Sequence, residues 1–553
     1  MHETLARLGE AYFRARNEAD PFEASISGVA GHDADVPDPS RAADAALRSR
    51  LDSIAADLAR VDPDELTGDE PVDRAVLTEL LTHARAVLQH GLSEVAVGAS
   101  VAGPLARVVA AVPAVSVTGP PAAQAYLARL GQLGGYFDGL RERHLAAKAD
   151  GRFPTALGVR QAIDQIDAYL ATPLARDPLL APTPGSEVDA DGWRATASDL
   201  VESTVRPALA RYRTALADEL LSVGRAEDRV GLRHVPGGVE GYRALVRAHT
   251  TTELDPEEIH QTGLDLVARL REEFAEMGHR VLGAGDVAEV LVRLRDDPAL
   301  RFARAADIVD AVTRPLRRAE EALPDWFLRY DIAPCVVREM DAAEAENSVL
   351  GYYLSPAADG SRPGAHVVNT YRPELRARFE YDVLAFHESV PGHHLQIGVA
   401  QSLTGLPNFR RFAYIDAHGE GWALYAERLC DEMGLYTDEL SRLGMVSFDA
   451  WRAGRLVVDT GMHQFGWSRA RAIAFLRDNT ALSEVNIANE VDRYIAMPGQ
   501  ALAYMVGRLR ITDLRDRARA ALGAAFDLRQ FHHQVLGHGP LPLTVLERLT
   551  ARS

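Results

Sequence analysis

Apolar residues recur at three-to-four spacing through most of this chain, and that period restricts it to a body built mainly of helices. Leu51, Ile54 and Leu58 share one helical face, as do Leu264, Val267, Leu270 and Phe274. The pattern holds from the start to about Leu323, with loops rich in Pro, Gly and Ser at Pro37 to Ser40, Pro182 to Ser186 and Val235 to Gly241. Pro256 after Asp255, followed by Glu257 and Glu258, predicts a helix start, because proline presets the first-turn angle and acids suit the positive end of the helix dipole. The period changes once. Between about Ile332 and Thr370 the runs Cys335 to Arg338, Leu350 to Leu354 and His366 to Thr370 are short and rich in Val and Tyr, which predicts a small antiparallel β-sheet. The Asp359-Gly360 and Pro363-Gly364 pairs put the turn between its last two strands at Ala357 to Gly364. A sheet edge there suits an extended substrate. Helical spacing resumes at Pro373.

Composition removes several function classes. The chain has 553 residues, 47% of them hydrophobic and 25% charged, so it can bury a large core. A formal net charge of -19 argues against nucleic acid as a partner. No membrane span is expected, since Gly98, Pro104, Arg107 and Pro113 interrupt the most apolar stretch, Val95 to Val117. Met1 to Asp20 scatters charges among its apolar residues, as an amphipathic helix does and a signal peptide does not. Cys335 and Cys430 stand outside any CxxC spacing, which excludes a disulfide framework and a thiolate zinc site and makes a reducing cytoplasm the expectation. There are no Walker or GxGxxG loops.

The chemistry is concentrated in Phe386-His387-Glu388-Ser389-Val390-Pro391-Gly392-His393-His394-Leu395-Gln396, expected in the middle of a helix starting near Pro373. A helical zinc-hydrolase motif places two histidines one turn apart, with a glutamate beside the first to take a proton from water. Here the interval from His387 to His393 is two residues longer and contains Pro391-Gly392. Pro391 cannot donate to His387 and Gly392 tolerates unusual angles, so a bulge there would return His393 to the face of His387. In an uninterrupted helix His394 would stand there instead, because seven residues are close to two turns. Spacing leaves both open. A third ligand is expected on a downstream helix, and Glu420 opens Glu420 to Leu429. Gly421 beside it permits close packing. Glu427 lies two turns along the same face, suited either to an ordinary ion pair with an arginine or to supporting a ligand. His418, just before that helix, is a rival ligand better read as a loop or supporting residue.

These residues form the patterns HExxPGHxxQ, at His387 to Gln396, and EGWxxYxE, at Glu420 to Glu427. In both, the chain resembles the bacterial family known as domain of unknown function 885 (DUF885). Asn369-Thr370, Arg455 to His463 with Asp459-Thr460-Gly461, and Tyr494 with Met497 to Ala501, Tyr504 and Gly507 resemble it too, in the same order. The likeness runs from about Asp20-Pro21 to the C-terminus. It favours His393 over His394, because the family pattern keeps the histidine after Pro-Gly and varies the next position. Met505 stands where the family usually has lysine, so no role of that lysine carries over. More distantly the family resembles helical zinc peptidases such as carboxypeptidase Taq and the oligopeptidases. That implies a mainly α, zincin-like body of 1–553, with an N-terminal helical lobe of about 1–245 and a catalytic lobe of about 246–553.

The expected centre is one zinc per chain on His387, His393 and Glu420, with Glu388 as general base. His463, Tyr494 and Tyr504 are candidates to stabilise the oxyanion. Arg452 and Arg455 are candidates for a substrate carboxylate, with Asp459 holding an arginine. Tyr353 and Asn369 would line the cleft from the sheet, Gln500 would touch substrate, and His394 would support the site. The leading function is a metallopeptidase cleaving short peptides in a deep cleft. A metal-dependent amidase acting on a small metabolite and a catalytically silent binding protein are the alternatives.

Overall fold

The computed structural model describes residues 2–100, 103–328, 332–341, 345, 349–356 and 362–551. It is 71% helical. No helix among the described residues is long and apolar enough to cross a membrane. The chain divides into two units, the first comprising Met1–Ala244, Met462–Ala470 and Asp492–Pro498, and the second Leu245–Gly461, Arg471–Val491 and Gly499–Ser553.

In the first unit, helices α1 (Glu3–Ala19), α2 (Pro120–Ala149), α3 (Ala156–Ala171) and α4 (Arg206–Ala215) carry long apolar faces. Thr155 starts α3 by accepting the Gly158 N–H on its hydroxyl at 3.1 Å. Tyr126, Leu130, Phe137, Ile163, Leu209 and Tyr212 fill the core between α2, α3 and α4.

The second unit begins with α5 (Pro256–Leu282), which starts at the expected proline. The Glu258 carboxylate accepts the Asp255 N–H at 3.0 Å, and Gly283 ends the helix at a φ of 63° that suits glycine. After α6 (Ala305–Trp326) come three strands, β1 (Val336–Glu339), β2 (Gly351–Leu354) and β3 (Ala365–Val368), in the order β1-β3-β2. Each falls within two residues of its predicted run. The sheet is mixed where an antiparallel one was expected: β2 pairs antiparallel with β3, but β1 runs parallel to it. Strand composition marks which residues extend; the connections set direction, and most of the expected turn at Ala357 to Gly364 lies outside the described residues. β3 is buried along its whole length, with Ala365 and Val367 packed on Met340 and Ala345.

Five helices complete the description of this half: α7 (Tyr381–Glu388), α8 (His393–Ser402), α9 (Asp416–Glu432), α10 (Glu439–His463) and α11 (Ala503–Leu522). The last two residues of α10, Met462 and His463, fall in the first unit. The single helix expected from Pro373 through the histidines is absent from this segment. Two short 3-10 turns, Pro373–Leu375 and Arg378–Glu380, precede α7, and a break separates α7 from α8.

Candidate metal centre

Helix α7 buries Tyr381, Val383, Leu384, Ala385, Phe386 and His387, residues on every face, so it is a core helix. It stops at Glu388. Ser389 leaves helical geometry at φ -103°, ψ -121°, Pro391 has no N–H to continue the ladder, and α8 begins at His393. A Cβ on Gly392 would lie 2.0 Å from the His387 carbonyl oxygen and 2.4 Å from that of Phe386, so only glycine lets the chain fold back over the helix end. The Trp422 indole N–H donates to the Pro391 carbonyl at 2.8 Å and fastens the break to α9. The two extra residues are therefore taken up in a loop between helices, where a bulge within one helix was expected.

Three donor atoms converge there. His387 Nε2 lies 3.7 Å and His393 Nε2 3.4 Å from Glu420 Oε2, and the three ligand atoms all fall within 4.8 Å of one another. Around a tetrahedral zinc with bonds of about 2.0–2.1 Å, ligand atoms stand about 3.3–3.5 Å apart. The His393–Glu420 pair has that spacing and the His387–Glu420 pair is slightly wider. The two imidazoles are nearly perpendicular, at 86°, with centroids 4.8 Å apart.

His394 is committed elsewhere. The Tyr353 hydroxyl donates to its Nδ1 at 2.9 Å, and its Nε2–H donates to the Ala333 carbonyl at 2.8 Å. His418 lies in the first turn of α9 and is likewise occupied, its Nε2–H donating to the Val535 carbonyl at 3.0 Å and its Nδ1 facing Gln396 Nε2 at 3.3 Å.

Behind the ligands, His387 Nδ1–H donates to Glu427 Oε1 at 2.7 Å. That bond fixes the ring and turns the Nε2 lone pair toward Glu420. Arg452 Nη2 approaches the same carboxylate oxygen at 3.9 Å, so Glu427 is both an arginine's partner and a ligand's support. The charge balance favours a cation. Burial by itself would lower the His387 pKa, yet the Glu420 and Glu427 carboxylates raise it to about 9. Burial would raise Glu420, but the His393 and His387 imidazoles hold it well below the usual carboxylate range. Glu388, next to the first ligand, is pushed up by burial and drawn back by both imidazoles.

Two supporting features carry no motif in the sequence. Tyr414, in the segment between Asn408–Arg411 and α9, donates its hydroxyl to Glu420 Oε1 at 2.8 Å. The residue is 52% exposed, while the packed surroundings of the hydroxyl and the Glu420 charge push the phenol well above its usual pKa. His366 on β3 is fully buried and places Nδ1 3.0 Å from the Ser389 hydroxyl, tying the sheet to the helix break.

The remaining candidates are distributed unevenly. His463 and Tyr494 belong to the first unit. There the Leu232 N–H donates to His463 Nδ1 at 3.1 Å and His463 Nε2–H donates to the Tyr494 carbonyl at 3.0 Å. Both ring nitrogens are occupied, which corrects the expectation that His463 serves an oxyanion. The Tyr494 side chain is 1% exposed. Asn369 is no cleft residue either: it is fully buried, donates to the carbonyls of Ala345 and Val349, and accepts the Tyr371 N–H. Asp459 accepts the Gly499 N–H on both oxygens, at 3.1 and 3.2 Å, and the adjoining Gln500 is buried. Arg455 stacks on Trp451 and Tyr504, 4.4 and 4.3 Å from their centroids, and donates to Glu490 at 3.1 Å. Arg452, 4% exposed, lies between Phe448 and Trp451 at 4.4 and 4.1 Å, with no hydrogen-bond partner for its Nε and Nη1 among the described residues.

Comparison with known proteins agrees with this architecture. The crystal structure of a putative lipoprotein from Colwellia psychrerythraea superposes with a TM-score of 0.91 at 27% identity, covering 99% of both chains. A putative lipoprotein of unknown function from Shewanella oneidensis shares the fold, with a TM-score of 0.78 at 18% identity over 99% of both chains. No curated protein matches the chain. The family described as bacterial protein of unknown function (DUF885) matches residues 21–549, a span that includes every residue of the candidate metal centre, and the chain belongs to it.

Proposed function

We propose that this protein is a zinc-dependent hydrolase, zincin-like in its chemistry, that cleaves short peptides. The observation that carries this reading is the convergence of His387, His393 and Glu420 beside a glutamate that is not one of the three. Two imidazoles and one carboxylate are the donor set of many catalytic zinc sites, which keep a fourth position open. Zinc held there would lower the pKa of water to about 7 and polarise a carbonyl.

The chain's own residues do the rest. Glu388, its pKa raised by burial, accepts the proton that water loses on attacking the carbonyl carbon and returns it to the departing nitrogen as the C–N bond breaks. Glu427 holds the His387 ring in the tautomer that offers Nε2. Arg452, a buried cation whose Nε and Nη1 have no hydrogen-bond partner among the described residues, supports a substrate that carries a carboxylate, such as a peptide end. The proposed compartment is the cytoplasm, on the strength of two unpaired, buried cysteines.

Elemental analysis of protein purified without chelator should find about one zinc per chain. Incubation with a mixed peptide library and with casein, followed by mass spectrometry, should show cleavage of the peptides. Failure to take up zinc would overturn the reading; turnover of small non-peptide amides alone would make the protein an amidase.

A further inference from the structure

One side chain hydrogen-bonded to the candidate metal centre belongs to an exposed residue. His387, His393, Glu420, Glu427 and Arg452 are each at most 8% exposed, whereas Tyr414 is 52% exposed with its hydroxyl bonded into the cluster. That bond uses Glu420 Oε1, the oxygen that does not face the histidines; Oε2 is the one near both imidazoles. The Tyr414 ring lies over Gly419, where a Cβ would come within 3.3–3.4 Å of ring atoms. Glycine at that position leaves the ring its place. A substrate arriving from solvent meets this phenol beside the ligand set.

We propose that Tyr414 is a catalytic residue of the reaction described above, donating its O–H to the substrate carbonyl oxygen as that oxygen takes up negative charge. The inference rests on the hydrolase reading. As water adds to the carbonyl carbon, its proton passes to Glu388 and the carbonyl electron pair moves to oxygen. Tyr414 then exchanges its bond to Glu420 Oε1 for one to that oxygen and keeps its own proton. The pair returns to re-form the C=O as the C–N bond breaks, and Glu388 gives the proton to the nitrogen. A donor of this kind acts mainly on the transition state, so removing it costs about 100- to 1000-fold in kcat with little change in KM.

The test is Tyr414→Phe in the full-length chain, with three readouts. Zinc affinity, measured by chelator competition, should stay within about threefold of wild type. With a peptide that wild type cleaves, kcat should fall about 100-fold or more while KM holds. A phosphinic dipeptide, which mimics the oxyanion, should lose about the same factor in affinity by calorimetry on the zinc-loaded protein. Zinc loss in Tyr414→Phe as large as that in Glu420→Gln would make Tyr414 only an anchor for the ligand carboxylate and overturn the proposal. Unchanged kcat would also overturn it. Wild type that takes up zinc yet binds no phosphinic dipeptide and cleaves no peptide removes the hydrolase reading and this proposal with it, whereas a defect confined to Tyr414→Phe supports the proposal.

Discussion

Gly421, one residue after Glu420, and Gly507 on α11 face each other at a backbone crossing: a Cβ on Gly421 would lie 2.5 Å from Gly507 Cα, and one on Gly507 would lie 2.0 Å from the Ala417 carbonyl oxygen. No flexible side chain is there to give way. Gly507→Ala must therefore push α11 off the ligand helix. Overpacking of this kind costs about 1–3 kcal/mol, and part of the displacement reaches Glu420. The expected result is a lower denaturation midpoint together with weaker zinc retention, and wild-type behaviour in both would contradict the crossing.

The two adjacent histidines should behave differently on replacement. His393→Ala deletes a donor atom 3.4 Å from Glu420 Oε2 and should abolish tight zinc binding. His394→Ala deletes only bonds to Tyr353 and Ala333, lowering stability by about 1–3 kcal/mol through the polar groups it strands while leaving zinc in place. Metal content by mass spectrometry decides, and greater zinc loss from His394→Ala would reverse the assignment.

The carboxylates separate in a different way. Glu388→Gln should retain zinc and fold but lose turnover, because an amide of the same shape accepts no proton. Glu420→Gln should weaken zinc binding, since a neutral amide oxygen is a poorer ligand than a carboxylate. If Glu388→Gln lost zinc as severely as Glu420→Gln, Glu388 would be a ligand and not the base.

Buried imidazoles set a response to acid. Burial pushes His463 down to about 3 and His532 to about 4, from an ordinary value of 6.5. Both are neutral in the folded protein at a pH where the unfolded chain protonates them. At these two rings the unfolded state thus binds more protons from about 6.5 downward, and the stability they contribute is lost as pH falls through that window. The loss is in part offset by His387 and Glu380, which are raised to about 9 and about 7. Urea midpoints measured between pH 7 and 5.5, above the range in which most carboxylates titrate, should decline steadily with pH. A flat profile over that interval would show that these rings can take up protons in place.

Much of the fold and of the site is legible in the sequence, because period and spacing report it. Pro256 and its two glutamates mark a helix start, and Val- and Tyr-rich runs mark three strands. His387, Glu420 and Glu427 are visible from their places on helices, whereas spacing leaves His393 and His394 both open and only the family pattern favours His393. The rest depends on tertiary partners. His393 and His394 are equivalent by helical geometry until Tyr353 and Ala333 occupy the second ring. His463 and Asn369 carry polar groups that read as reactive, yet backbone groups of their own surroundings use them up. Tyr414 has no spacing rule at all; it is found only because the segment before α9 brings its hydroxyl to Glu420.

The break at Pro391-Gly392 also bears on the order in which the molecule assembles. Ligands one turn apart on a single helix would already be neighbours in an isolated helical peptide, and metal could nucleate that turn. Here His387 lies in the last turn of one helix, His393 starts another, and the break between them is held by the Trp422 indole from a third. No short excised segment contains the geometry. On the proposed zinc reading, ion capture would follow folding of this half of the chain and could not seed it, so a metal added during refolding should leave the early phases unchanged and act only on the last, and on the rate of unfolding.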